Sequence, residues 1–373
     1  MLLAAMLAAG GQAAAGNDAY AHAVALQQAG DREGAAAAYR EVLKAQPSHV
    51  AARSNLGVVL AQMGHYEEAI EAYRAALAIE PQQHKIRLNL GIALYKAARY
   101  GDAVSELAAV RTAEPDNIQA RYLEADCHLR MGEPKAVIEL LAPLEPTRQD
   151  DLALAYMLGL AYLQEKDAAK GGLLVDRILK RGESAEAHLM LGMAKRGAQD
   201  LTGALDELAK ATALNPELPT VHSLYGRVLL ETGNRDKARA EFEAEIARNP
   251  LDFDAQLYLG VLQKEDAQYD VAMGHFERAL GVRPGDAGVR YQMVTIYVSR
   301  GETDRALPEL EAIVKEAPAF IEAHVTLATV YYRLKRREDG DRERAIVDAL
   351  NKEIQAKQPG AVPSNTPDAP PVR

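Results

Sequence analysis

Hydrophobic residues along most of the chain recur at helical spacing, in short segments that come in pairs. In residues 49–81 the first segment places Leu56 and Leu60 on one face of a helix, and the second places Ala69 and Tyr73 on one face of another. Each pair therefore predicts a hairpin of two short helices whose apolar faces meet.

Glycine and proline mark the ends of these segments. Gly64 falls where the first helix should end in a left-handed turn, and Pro81 stops the second helix because it lacks an N–H and clashes with the preceding turn. Gly57, opposite Ala69, removes side-chain bulk where the two backbones must cross closely. The turn position of Gly64 is also occupied by Gly30, Gly132, Gly233 and Gly301.

These markers repeat every 34 residues, with one step of 33 residues between Gly159 and Gly192. The position of Gly57 is filled by a small residue in most repeats: Ala23, Gly57, Gly91, Ala125, Gly159, Gly192, Gly226, Gly260 and Ala328, with Val294 in the remaining one. The proline series is Pro47, Pro81, Pro115, Pro216, Pro250, Pro284 and Pro318, and the alanine series is Ala35, Ala69, Ala103, Ala204, Ala238, Ala272 and Ala306. One hairpin cannot bury both of its apolar faces, so neighbouring hairpins must stack. The repeat predicts an all-α solenoid of about ten hairpins.

The solenoid is expected to cover residues 16–336 and to end in a capping helix over residues 337–357, which is highly charged. The apolar stripe of that helix consists of Ile346, Leu350 and Ile354. Residues 358–373 hold five prolines and no apolar periodicity, which predicts a disordered tail.

Two places interrupt the regular repeat. Pro143 and Pro146 should shorten the second helix of the fourth hairpin, and Gly171-Gly172 should loosen the fifth, where the period loses one residue. A kink or softer joint is expected there.

Charge and hydropathy narrow the class of partner. Acidic residues outnumber basic ones by 53 to 43, and the net charge of -10 repels phosphate backbones and anionic lipids, so we expect no nucleic-acid partner. No segment after the N-terminus approaches the ~20 apolar residues of a membrane-spanning helix.

Residues 1–15 are typical of a secretory-signal remnant, although a basic start is missing. They predict a periplasmic or secreted protein, the alternative being an Ala-rich helix end in a cytoplasmic one.

The spacing of Leu56-Gly57-x-x-Leu60, Ala69-x-x-x-Tyr73 and Pro81 resembles the tetratricopeptide repeat. The resemblance implies a right-handed superhelix that binds proteins. The family's usual Trp position is held instead by Arg53, Arg87, Arg121, His188, His222, Gln256, Arg290 and His324.

Candidate chemistry is sparse. The nine histidines lie mostly one to a hairpin, without the H-E-x-x-H spacing of a zinc site, and phosphate-binding glycine loops and nucleophile elbows are missing. Cys127 is the only cysteine, and it is expected to be a buried, inert thiol. We therefore predict no catalytic residue, no metal site and no cofactor.

The resemblance also implies a binding strip, because the first helices of such hairpins line the concave surface. Asn55 and Asn89 occupy equivalent positions with Lys85 nearby, and resemble the family's device for holding a peptide backbone. Further members of the strip are Tyr122, Tyr156, Met157, Leu189, Met190, Met193, Tyr258 and Tyr291. A lining rich in Met and Tyr suits an adaptable apolar groove, whereas the alternative is that these residues pack between hairpins.

These features favour a scaffold that binds a protein or peptide in its groove, in cell-envelope assembly if residues 1–15 are a signal. A second hypothesis is a substrate-recruiting subunit of a separately encoded enzyme, such as a protein O-glycosyltransferase. A third is an apolar small ligand or lipid in the Met-rich middle. The oligomeric state is left open.

Overall fold

The computed structural model describes residues 18–357, which fold into ten hairpins of α-helices. The first helices are α1 (18–28), α3 (Val50–Gln62), α5 (His84–Lys96), α7 (Ile118–Met131), α9 (Leu152–Gln164), α11 (Ala185–Gly197), α13 (Val221–Glu231), α15 (Phe253–Glu265), α17 (Ala287–Arg300) and α19 (Ile321–Arg333). The second helices are α2 (Arg32–Ala45), α4 (Tyr66–Ile79), α6 (Tyr100–Ala113), α8 (Pro134–Leu141), α10 (Ala168–Leu179), α12 (Leu201–Leu214), α14 (Arg235–Arg248), α16 (Tyr269–Val282), α18 (Thr303–Glu316) and α20 (Arg337–Lys357). The predicted all-α solenoid is confirmed for this part of the chain. The proposed signal remnant and the proline-rich tail lie outside the described residues.

Glycine allows the two helices of a hairpin to cross closely, as expected. A Cβ added to Gly57 would lie 2.6 Å from Cε1 of Tyr73, and one added to Gly226 would lie 2.7 Å from Cε1 of Phe242. The atoms nearest to Gly57 belong to the Tyr73 ring rather than to Ala69, so the glycine makes room for an aromatic side chain of the second helix.

Every hairpin turns through one residue in the left-handed conformation. Gly64, with φ of 81°, is one of the five glycines predicted at this position, and all five have positive φ. The same position in the other five hairpins is filled by Ala98, Lys166, Gln199, Ala267 and Lys335, with φ between 55° and 64°. The left-handed turn therefore forms even in the hairpins that have no glycine at this position.

The position of the family's Trp holds a polar bridge between the two helices of a hairpin. His222 donates from Nε2 to the carbonyl of Pro216, six residues earlier, at 3.1 Å, and from Nδ1 to Glu241, nineteen residues later, at 2.6 Å. Both partners are acceptors, so the two contacts favour the doubly protonated ring, and the hydrogen bond with Glu241 raises the pKa of His222. We call this arrangement the hairpin clip; it recurs at Arg87 and His324 with both contacts.

The chain divides into two compact units, unit 1 up to Ala255 and unit 2 from Gln256. In unit 1 a cluster of buried residues runs from α7 to α13, and unit 2 has a separate cluster in α17 to α19. The predicted shortening of the fourth hairpin is confirmed, because α8 has only 8 residues and passes into a 3₁₀ helix over Ala142–Thr147 that contains Pro143 and Pro146. Gly171-Gly172 lies within the regular helix α10, so it does not interrupt the helix.

The long helix α20 is the second helix of the tenth hairpin and packs on α19. His324 of α19 bonds Glu343 of α20, and a Cβ on Gly340 would lie 2.6 Å from Cε1 of Tyr332. In the predicted apolar stripe, Ile346 and Ile354 are exposed.

Candidate functional site

Six first helices of unit 1 form one continuous surface. Each of α3, α5, α7, α9 and α11 contacts the next first helix along the chain, up to α13. We define the first-helix face as the residues three and two before the small residue of each helix and one after it. Its members are Ser54, Asn55, Val58, Leu88, Asn89, Ile92, Tyr122, Leu123, Asp126, Tyr156, Met157, Leu160, Leu189, Met190, Met193, Ser223, Leu224 and Arg227.

At the α3 end of this face, the amide of Asn55 is used within the protein. Its Nδ2 donates to the hydroxyl of Tyr20 at 3.1 Å and to that of Tyr39 at 3.2 Å, and the Tyr39 hydroxyl donates to Gln27 at 2.5 Å. Both protons of the Asn55 amide are therefore engaged in hydrogen bonds. Asn55 therefore does not form, with Asn89, a pair of free amides.

Helix α5 presents donors that the folded chain does not use. Lys85 is exposed and Asn89 half-buried, and within residues 18–357 neither has a hydrogen-bond or ion-pair partner. Lys96, at the end of the same helix, is exposed, and its Nζ lies 5.8 Å from the centre of the Tyr95 ring. Lys96 was missed in the sequence, although its position eleven residues after Lys85 places both on one helix face.

The tyrosines of the strip differ in their surroundings. Tyr122 donates to Asp151 at 2.5 Å, and Asp151 also caps α9 by accepting from the Leu154 N–H at 3.0 Å. Tyr156 is half-buried and its hydroxyl has no hydrogen-bond partner in the described part of the chain. Burial raises the pKa of Tyr156, and the nearby carboxylate of Glu186 acts in the same direction. Tyr122 therefore links two repeats through its hydrogen bond to Asp151, whereas the hydroxyl of Tyr156 makes no hydrogen bond within residues 18–357.

The expectation that the Met-rich middle lines an accessible groove is wrong for three residues. Leu189 and Met190 are 0% exposed and Met157 is 9% exposed, all within the buried cluster of α7 to α13. The Met190 methyl fills the space left by Gly159, so the packing alternative applies. Met193 is half-buried beside the same cluster.

The last two members of the strip lie in unit 2. Tyr291 shares a hydrogen bond of 3.0 Å with Thr326, and its ring centre lies 5.0 Å from that of Phe320. Tyr258 is half-buried. Neither belongs to the first-helix face of unit 1.

A cavity of about 440 Å³ opens beside Lys96. One wall consists of the ends of α5 and α7, where Arg130 donates to Tyr95 at 3.1 Å and to Asp126 at 3.0 Å and lies over the rings of Tyr95 and Tyr100. The opposite wall comes from segments about 120 residues later and includes Leu218, Pro219, Glu245, Arg248, Pro250 and Leu251. Such a volume is within the range of ligand pockets. The 34-residue repeat pattern of the sequence does not predict this cavity.

Glu245 of the second wall and the neighbouring Asp252 are both buried carboxyl groups. Glu245 accepts from the Thr220 N–H at 3.2 Å, and Asp252 accepts from the Ser223 hydroxyl at 2.6 Å. Burial, and then the neighbouring Asp252, raise the pKa of Glu245 to about 7. In residues 18–357 no three His, Cys, Asp or Glu side chains come together as metal ligands.

Comparison with known proteins decides the family. Two family models, both described as tetratricopeptide repeat, match residues 20–84 and 224–287, and residues 60–111, 94–160 and 264–324. Together these matches span more than half of the chain. The chain belongs to the tetratricopeptide repeat family.

Two relatives are similar to part of this chain. DnaJ homolog subfamily C member 3 of Mus musculus is 26% identical over a match that covers 41% of this chain and 32% of that protein. Superkiller protein 3 of Schizosaccharomyces pombe is 30% identical over 36% of this chain and 10% of its own length. The chain thus spans a third or less of these relatives.

A solved structure gives the same fold. The APC/C hetero-tetramer Cut9-Hcn1 aligns with a TM-score of 0.57, 13% identity, and coverage of 90% of this chain and 88% of its own. At that identity the likeness shows the fold alone. As a tetratricopeptide repeat protein, the chain is built as a protein-interaction scaffold, because stacked repeats present an extended binding surface. None of the helices in the described residues is long and apolar enough to cross a bilayer.

Proposed function

We infer that this tetratricopeptide repeat protein is a scaffold without catalytic chemistry of its own, and that it holds a segment of a partner protein on the first-helix face of unit 1. The observation that carries this proposal is the combination of unused donors on α5 with half-buried apolar side chains next to them. Leu88 and Ile92 lie between Lys85 and Lys96, and all are only partly covered by the chain itself.

Two other properties of the face support peptide capture. It is continuous over six first helices, which gives an extended partner several contacts at once. It also contains Tyr156, a large aromatic side chain with an unpaired hydroxyl, and such side chains contribute strongly to protein interfaces.

Site-specific crosslinking tests this proposal. A photoreactive benzoylphenylalanine at Ile92 should form adducts with a partner in extracts of the source cell. The same group at Leu173, which is 67% exposed on the second helix α10, serves as the matched control. Adducts at position 92 but not at 173 support the first-helix face, whereas adducts at 173 alone would place the partner elsewhere.

A substitution pair complements the crosslinking. Ile92→Asp should release the crosslinked partner, while Leu173→Asp should retain it, and circular dichroism should report the same helix content for both. Met190→Asp is unsuitable, because it would bury a charge in the cluster of unit 1.

The substrate-recruiting alternative has less support than the sequence suggested. A pair of free amides at Asn55 and Asn89 would favour it, but Asn55 is engaged with Tyr20 and Tyr39. Co-purification of an enzyme whose activity depends on Asn89 would favour that alternative.

We propose that the scaffold acts in the cell envelope, on the basis of residues 1–15 alone. Mass spectrometry of the mature N-terminus from separated periplasmic and cytoplasmic fractions tests this. A full-length N-terminus confined to the cytoplasm would contradict it.

A further inference from the structure

The cavity beside Lys96 is lined by three basic side chains, two of which are neutralised by acidic partners. Arg130 pairs with Asp126 at 3.0 Å. Arg248 pairs with Glu217 at 2.8 Å. Lys96 has no ion-pair or hydrogen-bond partner in residues 18–357. In a chain whose net charge is -10, the cavity therefore holds an uncompensated positive charge.

Glu245, the remaining carboxyl group of the lining, does not neutralise Lys96 at mildly acidic pH. It is buried and accepts a hydrogen bond from the Thr220 N–H at 3.2 Å, so it is held at the start of α13. Burial and the neighbouring Asp252 raise the pKa of Glu245 to about 7. At pH 6 most molecules therefore carry Glu245 as a neutral acid, and the positive charge of Lys96 is the one left for a ligand.

The rest of the lining offers apolar surface on both walls and one further polar group. The apolar surface is contributed by Tyr95, Tyr100, Leu218, Pro219, Pro250 and Leu251. The polar group is Asn249, which follows the last residue of α14 and whose side-chain amide makes no hydrogen bond in the described part of the chain. Apolar walls with a few unused polar groups are typical of a small-molecule site.

We propose that this cavity binds a small organic monocarboxylate with a flat, ring-sized apolar body. The carboxylate pairs with Lys96, because one unpaired ammonium matches one negative charge. The apolar body lies between Tyr95 of one wall and Leu251 of the other, where it is removed from water and can stack on the tyrosine ring. Asn249 donates a hydrogen bond to the ligand from the second wall. This inference goes beyond partner binding by the first-helix face and does not rest on it.

Titration calorimetry of the full-length chain with 2-naphthoate, at pH 6 and low ionic strength, tests the proposal. Lys96→Gln should weaken the affinity about fivefold, as expected when one partly exposed ion pair is lost. Lys85→Gln is the matched control, because it removes an exposed lysine at the other end of the same helix, and it should leave the affinity unchanged. The uncharged analogue 2-naphthamide should bind the wild type and Lys96→Gln equally.

Variants of the second wall and amide hydrogen exchange locate the probe. Leu251→Trp fills the cavity and should abolish binding of 2-naphthoate, while circular dichroism reports unchanged helix content. Asn249→Ala should weaken binding about threefold, whereas Asn89→Ala, which removes an unused amide outside the cavity, should not. Bound 2-naphthoate should slow exchange in residues 95–100 and also in residues 215–221, because it joins segments about 120 residues apart.

Three results would overturn the inference. One is the absence of binding at about 1 mM 2-naphthoate, and another is equal affinity of the wild type and Lys96→Gln for it. The third is tighter binding of 2-naphthyl phosphate than of 2-naphthoate, which would show that the ligand class is not a monocarboxylate. None of these results affects the crosslinking test at Ile92, which reports on the first-helix face, so the two proposals fail separately.

Discussion

The turn residue of each hairpin offers a direct test of what stabilises the solenoid. Gly64 has φ of 81°, and a Cβ at that position would touch nothing within 4 Å. Gly64→Ala therefore changes only backbone strain. An L residue in the left-handed conformation costs about 1–2 kcal/mol, and the lower entropy of the unfolded alanine chain returns about 0.5 kcal/mol. We expect Gly64→Ala to lower the free energy of unfolding by about 1 kcal/mol.

Two further substitutions complete the test. Ala267 occupies the same turn position with φ of 59° and is exposed, so Ala267→Gly removes the strain without losing a buried methyl group and should stabilise by about 1 kcal/mol. Gly172 lies inside α10, and a Cβ there also touches nothing within 4 Å. Gly172→Ala should stabilise by about 1 kcal/mol through helix propensity. The same chemical change thus has opposite signs at Gly64 and Gly172.

Amide hydrogen exchange is the suitable assay, because arrays of repeats lose two-state cooperativity and open locally. A change of about 1 kcal/mol corresponds to about a fivefold change in the opening equilibrium of the helices beside the turn. Equal signs for Gly64→Ala and Gly172→Ala, or faster exchange around residue 267 after Ala267→Gly, would refute the reasoning.

Three more predictions concern the clip, the thiol and the crossing of helices. The raised pKa of His222 means that its contribution to stability is complete below about pH 6.5 and is lost as the pH rises through the folded-state pKa. His222→Arg, which keeps the charge, should therefore reduce the loss of stability between pH 6 and 8.5 in urea titrations, and an unchanged loss would exclude the clip as its source. Burial raises the pKa of Cys127 to about 12, so iodoacetamide at pH 8 should label it only in denaturant, as read by mass spectrometry; rapid labelling of the native chain would contradict this. Gly57→Ala should destabilise by about 1–3 kcal/mol in thermal unfolding, because the new Cβ overlaps the Tyr73 ring, and a neutral effect would show that the ring can move away.

The hairpin repeat and its turns could be predicted from the sequence because they depend on residues within one period. Gly57, Gly64 and Pro81 each report a local steric requirement. The turn residues Ala98 and Lys166 could be located only by counting, since their side chains do not favour the left-handed conformation that they adopt.

The candidate site was less accessible to prediction because it depends on contacts between repeats. Whether Asn55 is free depends on Tyr20 and Tyr39, which come from two other helices. Met190 and Tyr156 both belong to the predicted strip, yet only the packing of neighbouring helices decides that one is buried and the other is not. The cavity beside Lys96 joins segments about 120 residues apart, and a periodic pattern carries no information about such distant contacts.

The hairpin clip has a consequence for how such a chain can change its length. Its contacts reach six residues back and nineteen residues forward from one side chain, so they close within a single period. A duplicated 34-residue unit that contains the clip therefore carries both of the clip's contacts with it. The contacts within such a unit can therefore stay the same when recombination changes the number of hairpins, and only the contacts between neighbouring hairpins must be formed anew.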